Sequence, residues 1–93
     1  MDGNFSTAIN LAARNIRARR AMLGISQDTF ALKIGVDRTY FSKIERGLGN
    51  PSLKVLCAIA AALEWSVADL FGHHETSAPS SDASEKKKSK AYT

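Results

Sequence analysis

Apolar residues recur at helical spacing along most of this chain, in short bursts separated by glycines and capping residues. Ile9, Ala12, Ala13, Ile16, Arg20 and Leu23 share one stripe, which predicts a first helix ending near Leu23. Met1 to Phe5 reads as a short lead-in, with Ser6 or Asn4 as the N-cap. Gly24 follows as a left-handed stop, and Ile25 supplies the apolar contact that accompanies such caps. Ser26 caps a second helix from Gln27 to about Ile34, with Phe30, Ala31 and Ile34 inward and Asp28 suiting the dipole of its first turn. Gly35 takes the turn. Asp37 caps a third helix, with Phe41 and Ile44 inward and Tyr40 beside them, ending at Arg46 before Gly47.

The loop Leu48-Gly49-Asn50-Pro51 leads to Ser52, which caps a fourth helix with Leu53, Leu56, Ile59, Ala60 and Leu63 facing inward. Ser66 caps a last short helix, Val67 to Phe71, with Asp69 at the capping-box position and Gly72 as its stop. The fold class expected is all-α: five helices, no strand and no internal repeat. The second and third helices are too short to be stable alone. They must share a core and cross at the tight Gly35-Val36 joint, as in a helix-turn-helix.

Two charges fall where this pattern wants apolar groups. Arg20 lies on the stripe of the first helix, where an unpaired guanidinium is costly. Glu45 lies about 40° around from Phe41, near the buried side of the third helix. Each is the other's best partner, and an Arg20–Glu45 pair tying the first helix to the third is expected; the alternative is that both reach to solvent.

Composition bounds the rest. The 93 residues permit one domain, placed at residues 1–72. Residues 73–93 read as a disordered basic tail whose few apolar side chains are scattered among Ser, Lys, Asp and Glu. The net charge is +4, from 13 Lys and Arg against 9 Asp and Glu. Placement says more than the total, since Arg14, Arg17, Arg19 and Arg20 crowd the first helix without an acid. The single Cys57, in the apolar run VLCAIAAAL, reads as a buried inert thiol and permits no internal disulfide, as expected of a reducing cytoplasm. No apolar run approaches the ~18 residues of a membrane span, and the N-terminus lacks a signal pattern. A cytoplasmic protein without membrane association is expected. His73-His74 has no third ligand nearby and reads as exposed and flexible, and no metal or other cofactor is expected. Residues 1–72 hold no histidine, no usefully spaced carboxylate pair and no phosphate-binding glycine loop. Catalysis is therefore not expected.

The outward face of the third helix carries Arg38, Thr39, Ser42, Lys43 and Arg46 and no carboxylate, a face suited to an anion. The string S-Q-x-x-x-A-x-x-x-G-V-x-x-x-x-x-S-x-x-E-x-G-x-x-x-P-S, from Ser26 to Ser52, resembles the lambda repressor/Cro (Xre) family of helix-turn-helix DNA-binding domains. The resemblance covers roughly residues 9–72, and DRTYFSKIERG is similar to the recognition helices of restriction–modification controller proteins. It implies a five-helix lambda-repressor-like fold and a transcriptional regulator without an effector domain. By position it implies that Gln27 contacts a DNA phosphate and braces the recognition helix. Ala31 and Gly35 match the small residues at the helix crossing. Phe41 and Ile44 match buried positions, the first larger than the usual Ile or Val. Arg38, Thr39 and Lys43 match base-reading positions and Arg46 a phosphate-contacting one. Arg20 and Glu45 match a family ion pair.

The chemistry of the side chains agrees with these roles. Arg38, in the first turn, can donate bidentately to guanine O6 and N7, and Thr39 can offer its methyl to thymine or its hydroxyl to a base or phosphate. Lys43 can reach a second guanine or stay on the backbone. Tyr40 packs by its ring with its hydroxyl toward a phosphate, and Ser42, Asn50 in the following loop, and Arg17 or Arg19 are further phosphate candidates. Partners expected are double-stranded DNA and a second copy of the chain, with no small-molecule effector. One such domain makes few contacts, and a homodimer would set two recognition helices about 34 Å apart on a pseudo-palindromic operator. Trp65 and Val67 are the expected dimer contacts. Lys86, Lys87, Lys88 and Lys90 could add salt-sensitive DNA affinity or merely solubility. The competing function is an antitoxin or partner-binding subunit of the same fold, with weak DNA binding of its own.

Overall fold

The computed structural model describes residues 2–74. The expectations for Lys86 to Lys90, and for most of the tail, lie outside the described residues. Five helices follow in order: α1 Asp2–Met22, α2 Gln27–Ile34, α3 Arg38–Glu45, α4 Leu53–Ala62 and α5 Val67–Leu70. No strand occurs among the described residues.

The start and stop signals act as their chemistry requires. Ser26, Asp37, Ser52 and Ser66 each accept a backbone N–H of the helix they precede. Ser66 and Asp69 exchange both bonds of a capping box, 3.2 and 2.9 Å. Gly24, Gly35 and Gly47 take left-handed φ angles of +73°, +77° and +73°. At Gly35 this lets the Val36 N–H reach back to the Ala31 carbonyl, 3.0 Å, closing α2 and turning the chain at once into α3.

Four expectations need correction. α1 begins at Asp2 rather than after Phe5; no proline interrupts this stretch, and adding residues to an existing helix is easy compared with nucleating one. α5 ends at Leu70, and Gly72 is not left-handed, because Phe71 closes the helix in a right-handed turn. In α4, Ile59, Ala60 and Leu63 are buried but Leu53 is 67% exposed, and Cys57 is exposed rather than buried. A helix that is apolar on nearly every side gives no stripe from which its inward face can be read.

The core gathers Ala12 and Ile16 of α1, Phe30 and Ala31 of α2, Phe41 and Ile44 of α3, and Ile59, Ala60, Leu63 and Leu70 from the end of the chain. Phe30 and Phe41 stack with ring centroids 4.9 Å apart across the α2–α3 crossing. The large Phe41 is therefore accommodated by its aromatic neighbour. Asn15, also buried, donates to the carbonyls of Leu70 (2.9 Å) and Gly72 (2.8 Å), tying the end of the fold to α1.

The α4 end is unusual. Trp65 N–H reaches Ala60 O at 2.8 Å in the same left-handed cap as at the glycines, but the left-handed residue is Glu64, φ +63°. A side chain there carries a steric cost that glycine avoids. Glu64→Gly is therefore expected to stabilise the fold by about 1 kcal/mol and raise Tm by a few degrees. Thermal denaturation checks this; a lower Tm would show that Glu64 makes a compensating contact.

Candidate nucleic-acid interface

α3 divides into an inner and an outer face. Phe41, Ile44 and Glu45 are buried, Tyr40 is half-buried against the core, and Arg38, Thr39, Lys43 and Arg46 are exposed. Asp37 holds the start of the helix, its Oδ2 accepting from the N–H groups of Thr39 (2.9 Å) and Tyr40 (3.3 Å). Ser42 is half-buried, and Arg46 Nε donates to its carbonyl at 3.4 Å. Asn50 is exposed in the loop beyond.

Three side chains converge on Glu45, at the far end of α3. Arg20 donates from Nε to Oε2 (2.6 Å) and from Nη2 to Oε1 (2.9 Å), and Gln27 donates from Nε2 to Oε1 (2.8 Å). Arg17 Nη1 donates to the Glu45 carbonyl. Arg20 also donates from Nη1 to the Ile25 carbonyl at 2.7 Å, so both charged groups are satisfied, with Glu45 only 1% exposed. Gln27 thus braces α3 through the same carboxylate as Arg20. The angle of α3 is set by α1 and α2 together. The closeness of α1 is visible at Gly47, where an added Cβ would collide with the Asn10 side chain.

The first-helix arginines part company. Arg17 stands beside the end of α3. Arg19 turns toward the α4–α5 joint, donating to the Leu63 carbonyl at 3.1 Å with its guanidinium carbon 5.2 Å from the centre of the Trp65 ring. His74 also lies on Trp65, rings nearly parallel and 4.6 Å apart, and its Nε2 is 2.7 Å from the Asp69 carbonyl. His73 is exposed as expected, but His74 is half-buried and part of the packed end of the domain. Its apolar ring face has Trp65 to cover. Val67 is half-buried against the core.

A family model described as Helix-turn-helix, HTH_3, matches residues 16–70. The chain belongs to this family. That makes it a DNA-binding helix-turn-helix transcriptional regulator. It is 41% identical to the control protein C.MunI of a Mycoplasma species over 59 residues, 63% of this chain and 80% of that one. Against the regulator SlrR of Bacillus subtilis it is 40% identical over 62 residues, 66% of this chain but 41% of SlrR. Among solved structures, the restriction–modification controller C.AhdI of Aeromonas hydrophila superposes with a TM-score of 0.65 at 35% identity, over 68% of this chain and 96% of that one.

The HTH_3 match runs from the buried Ile16 to the buried Leu70 and so takes in the whole of α2, α3 and α4. Two residues with tertiary contacts were not singled out for them by sequence. Asp28, read only as suiting a helix dipole, has its Oδ1 2.9 Å from Arg38 Nε. Asn15 lies beside the apolar stripe of α1 rather than on it, and its partners are backbone carbonyls, so the side-chain pattern does not mark it. Among the described residues no three His, Cys, Asp or Glu side chains are grouped to hold a metal ion, and no helix is long and apolar enough to cross a membrane.

Proposed function

We propose that the chain acts as a homodimer on a pseudo-palindromic operator in double-stranded DNA, as the controller of a restriction–modification system. The observation that carries this is the outer face of α3: four exposed cationic or hydroxyl side chains and no carboxylate, on a helix whose angle is fixed from behind by Arg20, Gln27 and Glu45. Arg38, Thr39 and Lys43 meet base edges. Gln27, Tyr40, Ser42, Arg46 and Asn50 contact phosphates, joined by Arg17 from α1. Trp65 and Val67 meet the second copy. The controller assignment is supported by the names of C.MunI and C.AhdI and by how fully this chain covers both. No small-molecule effector is invoked; occupancy follows the concentration of the dimer.

Selection of bound sites from random DNA, followed by footprinting, tests the proposal. A two-fold symmetric site is expected. Arg38→Ala should weaken binding to it by about 1–3 kcal/mol and relax preference at one position per half-site, while Arg46→Ala should weaken all sequences alike and reduce the salt slope by about 1. Loss of affinity in both without a change in preference would overturn the division into readers and anchors. A second reading, as a partner-binding subunit, is favoured by the likeness to a chain of the SinR protein/SinI protein complex, 39% identical with a TM-score of 0.60 over 62% of this chain and 57% of that one. It predicts co-purification of a protein and no enriched DNA site.

A further inference from the structure

Asp28 lies in the first turn of α2, and Arg38 opens α3 with its Nε 2.9 Å from Asp28 Oδ1. Both side chains are largely exposed, 77% and 62%, so the pair adds little to folding stability. A helix dipole accounts for an acid somewhere in that first turn, but not for one aimed at an arginine of the next helix. The neighbouring acid, Asp37, is used as a cap, whereas Ser26 already accepts the Thr29 N–H at the start of α2. Among the described residues the ion-pair partner of Asp28 is Arg38.

A carboxylate beside a face that meets phosphates weakens binding to every sequence unless it performs some other task. The guanidinium presents its donors in a fixed fork. A carboxylate at Nε leaves Nη1 and Nη2 at the outer end, and that end is the one that can donate to guanine O6 and N7. Holding it there removes rotamer freedom before the encounter. It also disfavours a swing of Arg38 to a phosphate, since the carboxylate would then face the same backbone unpaired. We infer that Asp28 is the positioning residue for Arg38, converting a nonspecific cation into a base reader. The inference rests on the reading of α3 as the recognition helix.

Site selection from random DNA, then titration of the selected site, its single-base variants and mixed-sequence DNA, is run on the full chain, Asp28→Ala, Asp28→Glu, Arg38→Ala and the double variant. Arg38→Ala should lose a guanine preference at one position. Asp28→Ala should lose on the order of tenfold of preference at that same position, while binding mixed-sequence DNA several-fold more tightly. The double variant should match Arg38→Ala, and Asp28→Glu should restore part of the preference. Removing any carboxylate beside the phosphates raises nonspecific affinity, so the readout that a merely structural Asp28 would not move is the guanine preference at the Arg38 position. The inference is overturned if Asp28→Ala keeps the guanine preference, or loses preference at a different position, which would make Asp28 a direct reader. If the parent chain selects no site, or Arg38→Ala changes no position, the recognition-helix reading itself fails.

Discussion

Glu45→Ala is expected to destabilise the fold by about 3–5 kcal/mol and to lower Tm by more than about 10 °C. Glu45 is 1% exposed and accepts from Arg20 and Gln27, so its removal leaves the Arg20 guanidinium, 17% exposed, facing no anion. Gln27 loses its acceptor as well. For a domain of this size, whose total stability is on the order of 5–15 kcal/mol, the loss is a large fraction. Arg20→Ala should behave similarly, because it strands the more buried partner. A double replacement, Arg20→Met with Glu45→Leu, should be more stable than either single variant, since closely packed apolar groups can replace a buried ion pair at little cost. Urea and thermal melts of the four chains check this. An unchanged Tm in Glu45→Ala would show that the cluster does not hold α1 against α3.

Asn15→Ala is expected to cost about 2–4 kcal/mol, because it leaves the Leu70 carbonyl, in the core, and the Gly72 carbonyl without their donor. The damage should be local at first. α5 loses its Asn15 tie to α1, leaving Arg19 against Trp65, so amides from Trp65 to Gly72 should exchange faster than those of α2 and α3. Trp65 is the single tryptophan, and its fluorescence should change before the far-UV helix signal does. Urea unfolding followed by both signals checks the prediction; coincident transitions with a loss below about 1 kcal/mol would refute it.

The elements that could be read from sequence were those whose signals are local. A serine or aspartate followed by an apolar period, and a glycine behind it, mark α2 and α3 at both ends because cap and helix are neighbours in the chain. Arg20 and Glu45 were within reach for a related reason: each is a charge on an otherwise apolar stripe, and the structure has them 2.6 Å apart. What escaped depends on partners distant in sequence and silent in side-chain pattern. Asn15 is bonded to backbone carbonyls more than fifty positions away, and a carbonyl leaves no mark in the sequence. Glu64 takes a conformation that glycine would have announced. Cys57 and Leu53 belong to a helix so uniformly apolar that only its neighbours decide which side is buried. Asp28 had an adequate local explanation, which hid its contact with Arg38.

Apart from the exposed Asp28–Arg38 pair, the side-chain bonds that grip α3 from α1 and α2 end on Glu45, at its last turn, whereas Arg38, Thr39 and Lys43 carry none of the core. On the proposed reading of α3, folding and recognition are thus written on different letters of the same short helix. A library randomised at positions 38, 39 and 43 should contain mostly folded members, and operators could be exchanged between relatives by transplanting those letters together with position 28. A lineage can then change its target without passing through an unfolded intermediate.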